Sequence, residues 1–380
     1  MKKIIAVILT LIMLCGCKQK LPDTQQQQTD YLYGIWVTYA ELSNAANPDF
    51  KTGFEDICKN AQAIGANALF VHLRAFCDSV YPSKYFPLCS WAQNKEGDML
   101  LIMSQICKKY DLELHGWINP YRVASSHSDI NSLPQNSPVR NNPQLLGNTA
   151  QGLYLNPASA QARKLVIDGV REIINGYDID GIHFDDYFYP TTDESFDKHL
   201  YEEYISQNKN PLPLDVWRTV NVNLLISGVY GAIKNSGKDV CFSVSPAADI
   251  EKNKNTLYAD VKSWCQAGYI DMIIPQLYFG FDYPVENFTF ERLLLDWIKL
   301  TKDSNTRLCI GLAPYKLDTD KEPDNQEWKN GTDIVARQLL HIKNQADISG
   351  AVLFSSSYLF SKEENFTIQK ENIKNVIKEK

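Results

Sequence analysis

The sequence predicts an α/β fold, a single (β/α)8 barrel, and three observations carry that prediction. Eight short apolar runs recur along the 380-residue chain, each bounded by turn-forming residues, as strands buried on both faces of a parallel sheet are. Segments of helical periodicity fall between them. The rival architecture, a doubly wound open sheet, is expected to place a glycine-rich phosphate turn after its first strand. That position reads Tyr39-Ala-Glu-Leu-Ser-Asn44 and has no glycine, so the closed barrel is the better reading.

The predicted strands are 33–39, 68–74, 112–119, 181–185, 240–246, 271–278, 307–314 and 350–357. Helices are expected over 160–175, 215–234, 257–266, 290–302 and 332–345. The first of these places Leu165, Val166, Val170, Ile173 and Ile174 on one face and stops before Gly176, the expected C-cap. Two connections are too long for simple turns. One, 121–157, follows the third strand, and the other, 187–214, follows the fourth. Both leave the C-terminal strand ends, the face on which such barrels carry out chemistry.

The N-terminus is organised differently. Lys2 and Lys3 precede an apolar run, 4–14, interrupted only by Thr10; it is too short to span a bilayer and suits an export signal. Its end, Leu14-Cys-Gly-Cys17, resembles a bacterial lipobox, which implies lipid on Cys17 and anchorage of the exported chain in a membrane of the cell envelope. Residues 18–30 hold a glutamine run, Gln25 to Gln28, and read as a flexible tether. The expected organisation is therefore leader 1–17, tether 18–30, barrel 31–357 and a helical tail over 358–380.

Composition narrows the partners. Hydrophobic residues make up 44% and charged residues 22%, enough for a sizeable core. The net charge of −7, with no Lys/Arg run, argues against nucleic acid. Of nine cysteines, seven remain beyond Cys17, at no metal-knuckle spacing. Most occupy apolar positions, where a thiol acts as a small hydrophobe. Cys77 and Cys89 flank one loop, and a bridge between them is one option.

Strand parity selects the candidate site. Side chains alternate across a strand, so if Ile182 and Phe184 face the helices, His183 and Asp185 face the axis, with Asp185 at the mouth and Asp186 on the rim. The same test turns His72 and Arg74 inward on the second strand, His115, Trp117 and Asn119 on the third, and Gln276 and Tyr278 on the sixth. Carboxylates among amide, imidazole and guanidinium donors, walled by aromatic rings, suit a sugar. Trp36, Trp91, Trp117, Tyr121, Tyr187, Tyr189, Tyr278, Phe279 and Tyr283 are candidate stacking or binding surfaces.

Several of these residues also carry a family resemblance. Tyr154-Leu-Asn-Pro157, Arg163, Asp180-Gly-Ile-His-Phe-Asp-Asp-Tyr-Phe-Tyr-Pro190, Gly34-Ile-Trp-Val37, Gly116-Trp-Ile-Asn-Pro-Tyr-Arg122 and Pro275-Gln-Leu-Tyr278 resemble the glycosyl-hydrolase-like 10 family, over about 31–357. The resemblance implies an exported or lipid-anchored barrel that cleaves peptidoglycan glycan strands lacking stem peptides. It departs from the chitinase-like pattern, which requires glutamate where Tyr187 stands.

Glycoside hydrolysis ordinarily needs two carboxyl groups, one protonated and one ionised. Asp185 is taken as the ionised member. Asp249, Glu251, Asp282 and Asp186 are open as the acid, the last only if the two neighbours titrate as a pair. No cofactor or metal is called for. A metal-dependent amide or acetyl hydrolase built on His72, His115, His183, Asp185 and Asp186 is one competing reading, and a sugar-binding lipoprotein without turnover is the other.

Overall fold

The computed structural model describes residues 31–93, 95–124, 129–147, 149–150, 152–317 and 325–379; the leader, Cys17 and the tether lie outside them. Eight parallel strands close into a barrel: β1 (Leu32–Val37), β2 (Ala68–Arg74), β3 (Glu113–Ile118), β4 (Gly181–Phe184), β5 (Cys241–Val244), β6 (Met272–Ile273), β7 (Arg307–Leu312) and β8 (Ile348–Leu353). Each pairs with its neighbours in sequence, and β8 closes on β1 through Leu32–Gly350 and Ile35–Leu353. Helices α1 (Phe50–Ile64), α2 (Met99–Lys109), α3 (Ala160–Gly176), α4 (Leu214–Lys234), α5 (Val261–Ala267), α6 (Phe290–Thr301), α7 (Ile334–Lys343) and α8 (Glu364–Lys378) return the chain after each strand.

Alternation along the strands sorts the side chains into two cores. Ile35, Val37, Leu69, Val71, Ile182, Phe184, Ile310 and Leu353 face the helices in one large apolar layer. Leu32, Trp36, Phe70, Trp117, Met272, Ile274 and Val352 form a smaller core inside the barrel. The helices follow local rules. Asp49 caps α1 by accepting the Thr52 amide, and Gly65 at φ 92 closes it in the left-handed conformation open to glycine.

Three expectations, for Gly176, the sixth strand and Arg74, need correction. Gly176 belongs to α3, and Tyr177, in extended conformation, is the C-cap. The sixth strand shrinks to Met272–Ile273, because Pro275 lacks the N–H that would continue the ladder; Gln276 regains single bridges to Ala247 and Gly311. The tail over 358–380 contains the eighth ring helix, with Phe366, Gln369, Ile373 and Val376 buried. Cys77 and Cys89 are free thiols. Arg74 points outward: the β2–β3 register shifts between His72 and Arg74, and the slip changes the face of the following residue. Its guanidinium lies 3.8 Å from the Phe86 ring, beneath α3.

The two long connections carry structure of their own. The first folds back as a short antiparallel pair, Arg122–Ala124 with Leu153–Tyr154. The second includes the helix Lys198–Gln207 and is fastened by a fully buried ion pair, Arg218 Nη2 to Asp197 Oδ1 at 2.7 Å. Arg218 also donates to the Thr192 and Asp193 carbonyls and to the Tyr258 hydroxyl. Removing one partner of such a pair strands the other charge in the interior. Arg218→Met is therefore expected to lower the unfolding free energy by about 3–5 kcal/mol, read by chemical denaturation; a loss below about 1 kcal/mol would show that the pair does not hold this loop.

Candidate active site

At the C-terminal mouth of the barrel lies a basin of about 220 Å³. β1 and its turn contribute Trp36, Thr38 and Tyr39, β2 gives His72, and β3 gives Trp117 and Asn119. Asp185, Asp186 and Tyr187 follow β4, Ser245 follows β5, Gln276 and Tyr278 follow β6, and Phe354 follows β8. Arg122 closes the wall from the antiparallel pair.

The floor is a hydrogen-bonded column. Strand register sets Trp117 beside His183 and His183 beside Ser243. The Trp36 indole N–H donates to His183 Nε2 at 3.1 Å. Nε2 is thus an acceptor, and the ring proton sits on Nδ1, which meets Ser243 Oγ at 2.8 Å. Burial holds the His183 pKa well below its ordinary value, so the ring is neutral. His72 stacks on Trp117 with centroids 3.5 Å apart and bonds Asn119 Oδ1 at 2.9 Å. Burial pushes its pKa down to about 3. The column is polar and uncharged.

On this floor stands Asp185. It is almost wholly buried; Trp117 Nε1 donates to its Oδ2 at 2.9 Å and the Tyr187 amide to its Oδ1 at 3.2 Å. Those donors favour the carboxylate, but burial and then the neighbouring Asp186 charge outweigh them and raise the Asp185 pKa well above the ordinary range. Asp186 is half-buried on the rim and is also raised by burial, against a hydrogen bond with Gln276 and the charge of Lys252. Consecutive residues reach one basin because the ladder ends at Phe184 and the chain turns, the Phe188 amide donating to the Asp186 carbonyl at 2.9 Å.

Strand parity brings His72, Trp117, Asn119, Asp185, Gln276 and Tyr278 together here, with Asp186, Tyr187 and the stacking candidate Trp36 beside them. It misplaces others. His183 lies under the floor as its support. His115 sits a level deeper, stacked on Phe70 at 4.4 Å and bonded to Glu113 at 2.9 Å; its register opposite Gly181 sets it near the strand start. Tyr121 is buried in the outer core, since the chain leaves β3 at Ile118 and turns outward. Arg74 is beneath α3. Among the stacking candidates, Trp91 stacks on Phe50 at 5.6 Å, Tyr189 is buried in the outer layer, and Phe279 and Tyr283 pack on each other at 4.9 Å.

Asp249 and Glu251 also leave the site. Asp249 caps the helix Ile250–Asn255 by accepting the Glu251 and Lys252 amides, and both acids line a larger cleft of about 690 Å³ that shares no residue with the basin. Asp282 donates its amide to Glu327 and does not line the basin. Asp186 is left as the second carboxyl group. Among the described residues, no three His, Cys, Asp or Glu side chains converge as a ligand set; the three strand histidines are spread over different depths and bonded to other groups. Thr38, Tyr39, Ser245 and Phe354 were missed, although alternation on β5 and β8 points Ser245 and Phe354 inward. Arg122 lies beyond the strand, where parity has no force.

Comparison with known proteins places this geometry. The family described as Glycosyl hydrolase-like 10 matches residues 31–330. "Glycosyl hydrolase YngK" of Bacillus subtilis (strain 168) is 32% identical over 330 residues, 80% of this chain and 63% of its own length, so the chain spans less than two thirds of that relative. "Glycosyl hydrolase DigH" of Escherichia coli (strain K12) is 26% identical over 412 residues, 93% of this chain and 92% of its own. Among solved structures, the PgaB (BpsB) glycoside hydrolase domain from Bordetella bronchiseptica superposes with a TM-score of 0.56 at 10% identity, covering 92% of this chain and 99% of that one. The catalytic domain of β-amylase from Paenibacillus polymyxa gives 0.59 at 11%, with the same coverages. At such identities these structures speak to the barrel alone.

The raised Asp185 pKa has a consequence for stability. Above the unfolded value near 3.9, the folded chain still holds a proton that the unfolded chain has released. Stability is then greatest below that value and is lost as pH rises through the folded pKa. Asp185→Asn removes this dependence. Its Tm minus that of the parent is expected to increase as pH rises from about 4, measured by calorimetry; a constant difference would mean that burial does not perturb this carboxyl.

Proposed function

The chain belongs to the glycosyl hydrolase-like 10 family, its fold is a glycosidase barrel, and from that premise we propose that it hydrolyses glycosidic bonds of a cell-wall glycan, peptidoglycan strands lacking stem peptides, with Asp185 and Asp186 as the reacting pair. The observation that carries this reading is one carboxyl buried against Trp117 and a second beside it on the rim, at the mouth of an aromatic-walled basin. Lipid on Cys17 would hold the enzyme in the cell envelope, where such strands occur.

The roles in this reading are the reverse of those expected from sequence, and the burial of Asp185 supports it. Asp185 is the deeper member, and burial and then the neighbouring Asp186 charge raise its pKa, so this reading assigns it the proton. Asp185 thus donates to the departing glycosidic oxygen. Asp186 has Gln276 and Lys252 to favour its ionised form and acts as the base or nucleophile. The indole of Trp117 and the Tyr187 amide are already aimed at the Asp185 oxygens, so the anion left after donation is met by fixed donors without rearrangement. Trp36, Tyr278 and Phe354 supply ring faces along the wall for the sugar.

Purified strands digested by the parent and followed by mass spectrometry provide the test. Asp185→Asn and Asp186→Asn are each expected to slow cleavage by about 10²–10⁴-fold, and an excess of chelator should leave the parent rate unchanged. Parent-like digestion by both variants would remove the hydrolase assignment. Trp117→Phe keeps the ring but removes the indole donor, and about a tenfold loss in kcat is expected; an unchanged kcat would show that the donor has no part in the reaction.

A further inference from the structure

Two carboxyl groups facing one small basin repel an anionic sugar unless a cation offsets them. The wall supplies such a cation in Arg122. Arg122 has no ion pair and no side-chain hydrogen bond among the described residues, and its Nε is buried without a partner. Its guanidinium carbon lies 4.9 Å from the Phe76 ring centre and 5.1 Å from that of Tyr187, so two aromatic rings fix its plane. Other arginines nearby differ. Arg218 is saturated by Asp197 and two carbonyls. Arg163 donates to the Pro157 carbonyl and to Asn221. Arg74 is sealed beneath α3 at 1% exposure.

A counter-ion role for the two aspartates does not account for Arg122, because neither carboxylate lies within the 4.0 Å of an ion pair. Its charge is felt by Asp185 only as the weakest of the influences on that group. We propose that Arg122 receives a carboxylate carried by a sugar unit in the basin, making the site selective for acidic glycans. A guanidinium stays charged at any physiological pH and offers a planar fork that matches a carboxylate with two parallel hydrogen bonds. This deepens the function proposed above and rests on it: a strand stripped of its peptides exposes a free carboxylate wherever a peptide was attached by an amide.

The test compares peptide-free strands with the same strands after their carboxylates have been reduced to alcohols. The parent is expected to prefer the acidic strands by about ten- to a hundredfold in kcat/KM, mainly through KM. Arg122→Gln should treat both substrates alike, and Arg122→Lys should recover part of the preference because it restores charge without the fork. A general effect on Asp185 or on folding would lower both activities together, so an equal loss on the two substrates overturns the proposal, as does a parent that never discriminates. A glycan alternating hexosamine and uronic acid, if cut in an Arg122-dependent manner, supports the carboxylate site and moves the acid onto the sugar ring. Were neither strand cut, the hydrolase reading would fail first; calorimetric binding of acidic and reduced strands to the parent still decides, and equal affinities overturn the role of Arg122.

Discussion

The site depends on one hydrogen bond, the indole N–H of Trp117 to Oδ2 of Asp185. Burying a carboxyl beside another acid is unfavourable, and burial without a partner would be worse. The indole makes the position tenable and fixes where the carboxyl stands. Trp117 is itself held flat by His72, whose ring is anchored by Asn119, and Asn119 ties its amide to the Ala75 carbonyl. Orientation of the acid is therefore inherited from β3 and β2 as well as from its own strand.

The barrel interior follows from the same constraint. An all-apolar interior would pack well but could not support a charged or proton-bearing group at the mouth. Here the level below the acid is filled by His183, Ser243, Ser245 and Trp36, each satisfied by another member. Because burial keeps His183 and His72 neutral, these two rings place no positive charge beneath Asp185. The polar column shapes the acid without neutralising it.

Stability is lodged elsewhere. The apolar layer between strands and helices is large and continuous, whereas the inner core is small and interrupted by polar groups. The strand ends can thus hold unfavourable features, such as adjacent acids and an arginine with no ion pair among the described residues, while the outer layer and the Arg218–Asp197 fastening maintain the fold. This division fits a barrel whose likeness in fold to solved barrels extends over nearly the whole chain at very low identity: the packing is common, and the mouth is particular.

What the amino-acid order determined by itself was whatever depends on period and local chemistry. Short apolar runs and the period of 3.6 suffice for eight strands and five of the helices between them, and alternation carried Asp185, Trp117, Asn119, Gln276 and Tyr278 to one face. Alternation assumes an unbroken strand, and it failed where that assumption failed. A register slip turned Arg74 away, and departure from β3 carried Tyr121 into the outer core. Parity states the face and not the level, and His115 and His183, inward from mid-strand positions, lie below the basin. Asp249 could be seen as a strand-end acid but not as a helix cap, since that choice depends on which amides lie within reach. Only the tertiary structure set the depth of each acid and left Arg122 without an ion pair or side-chain hydrogen bond among the described residues, for both are set by distances between segments that lie far apart along the chain.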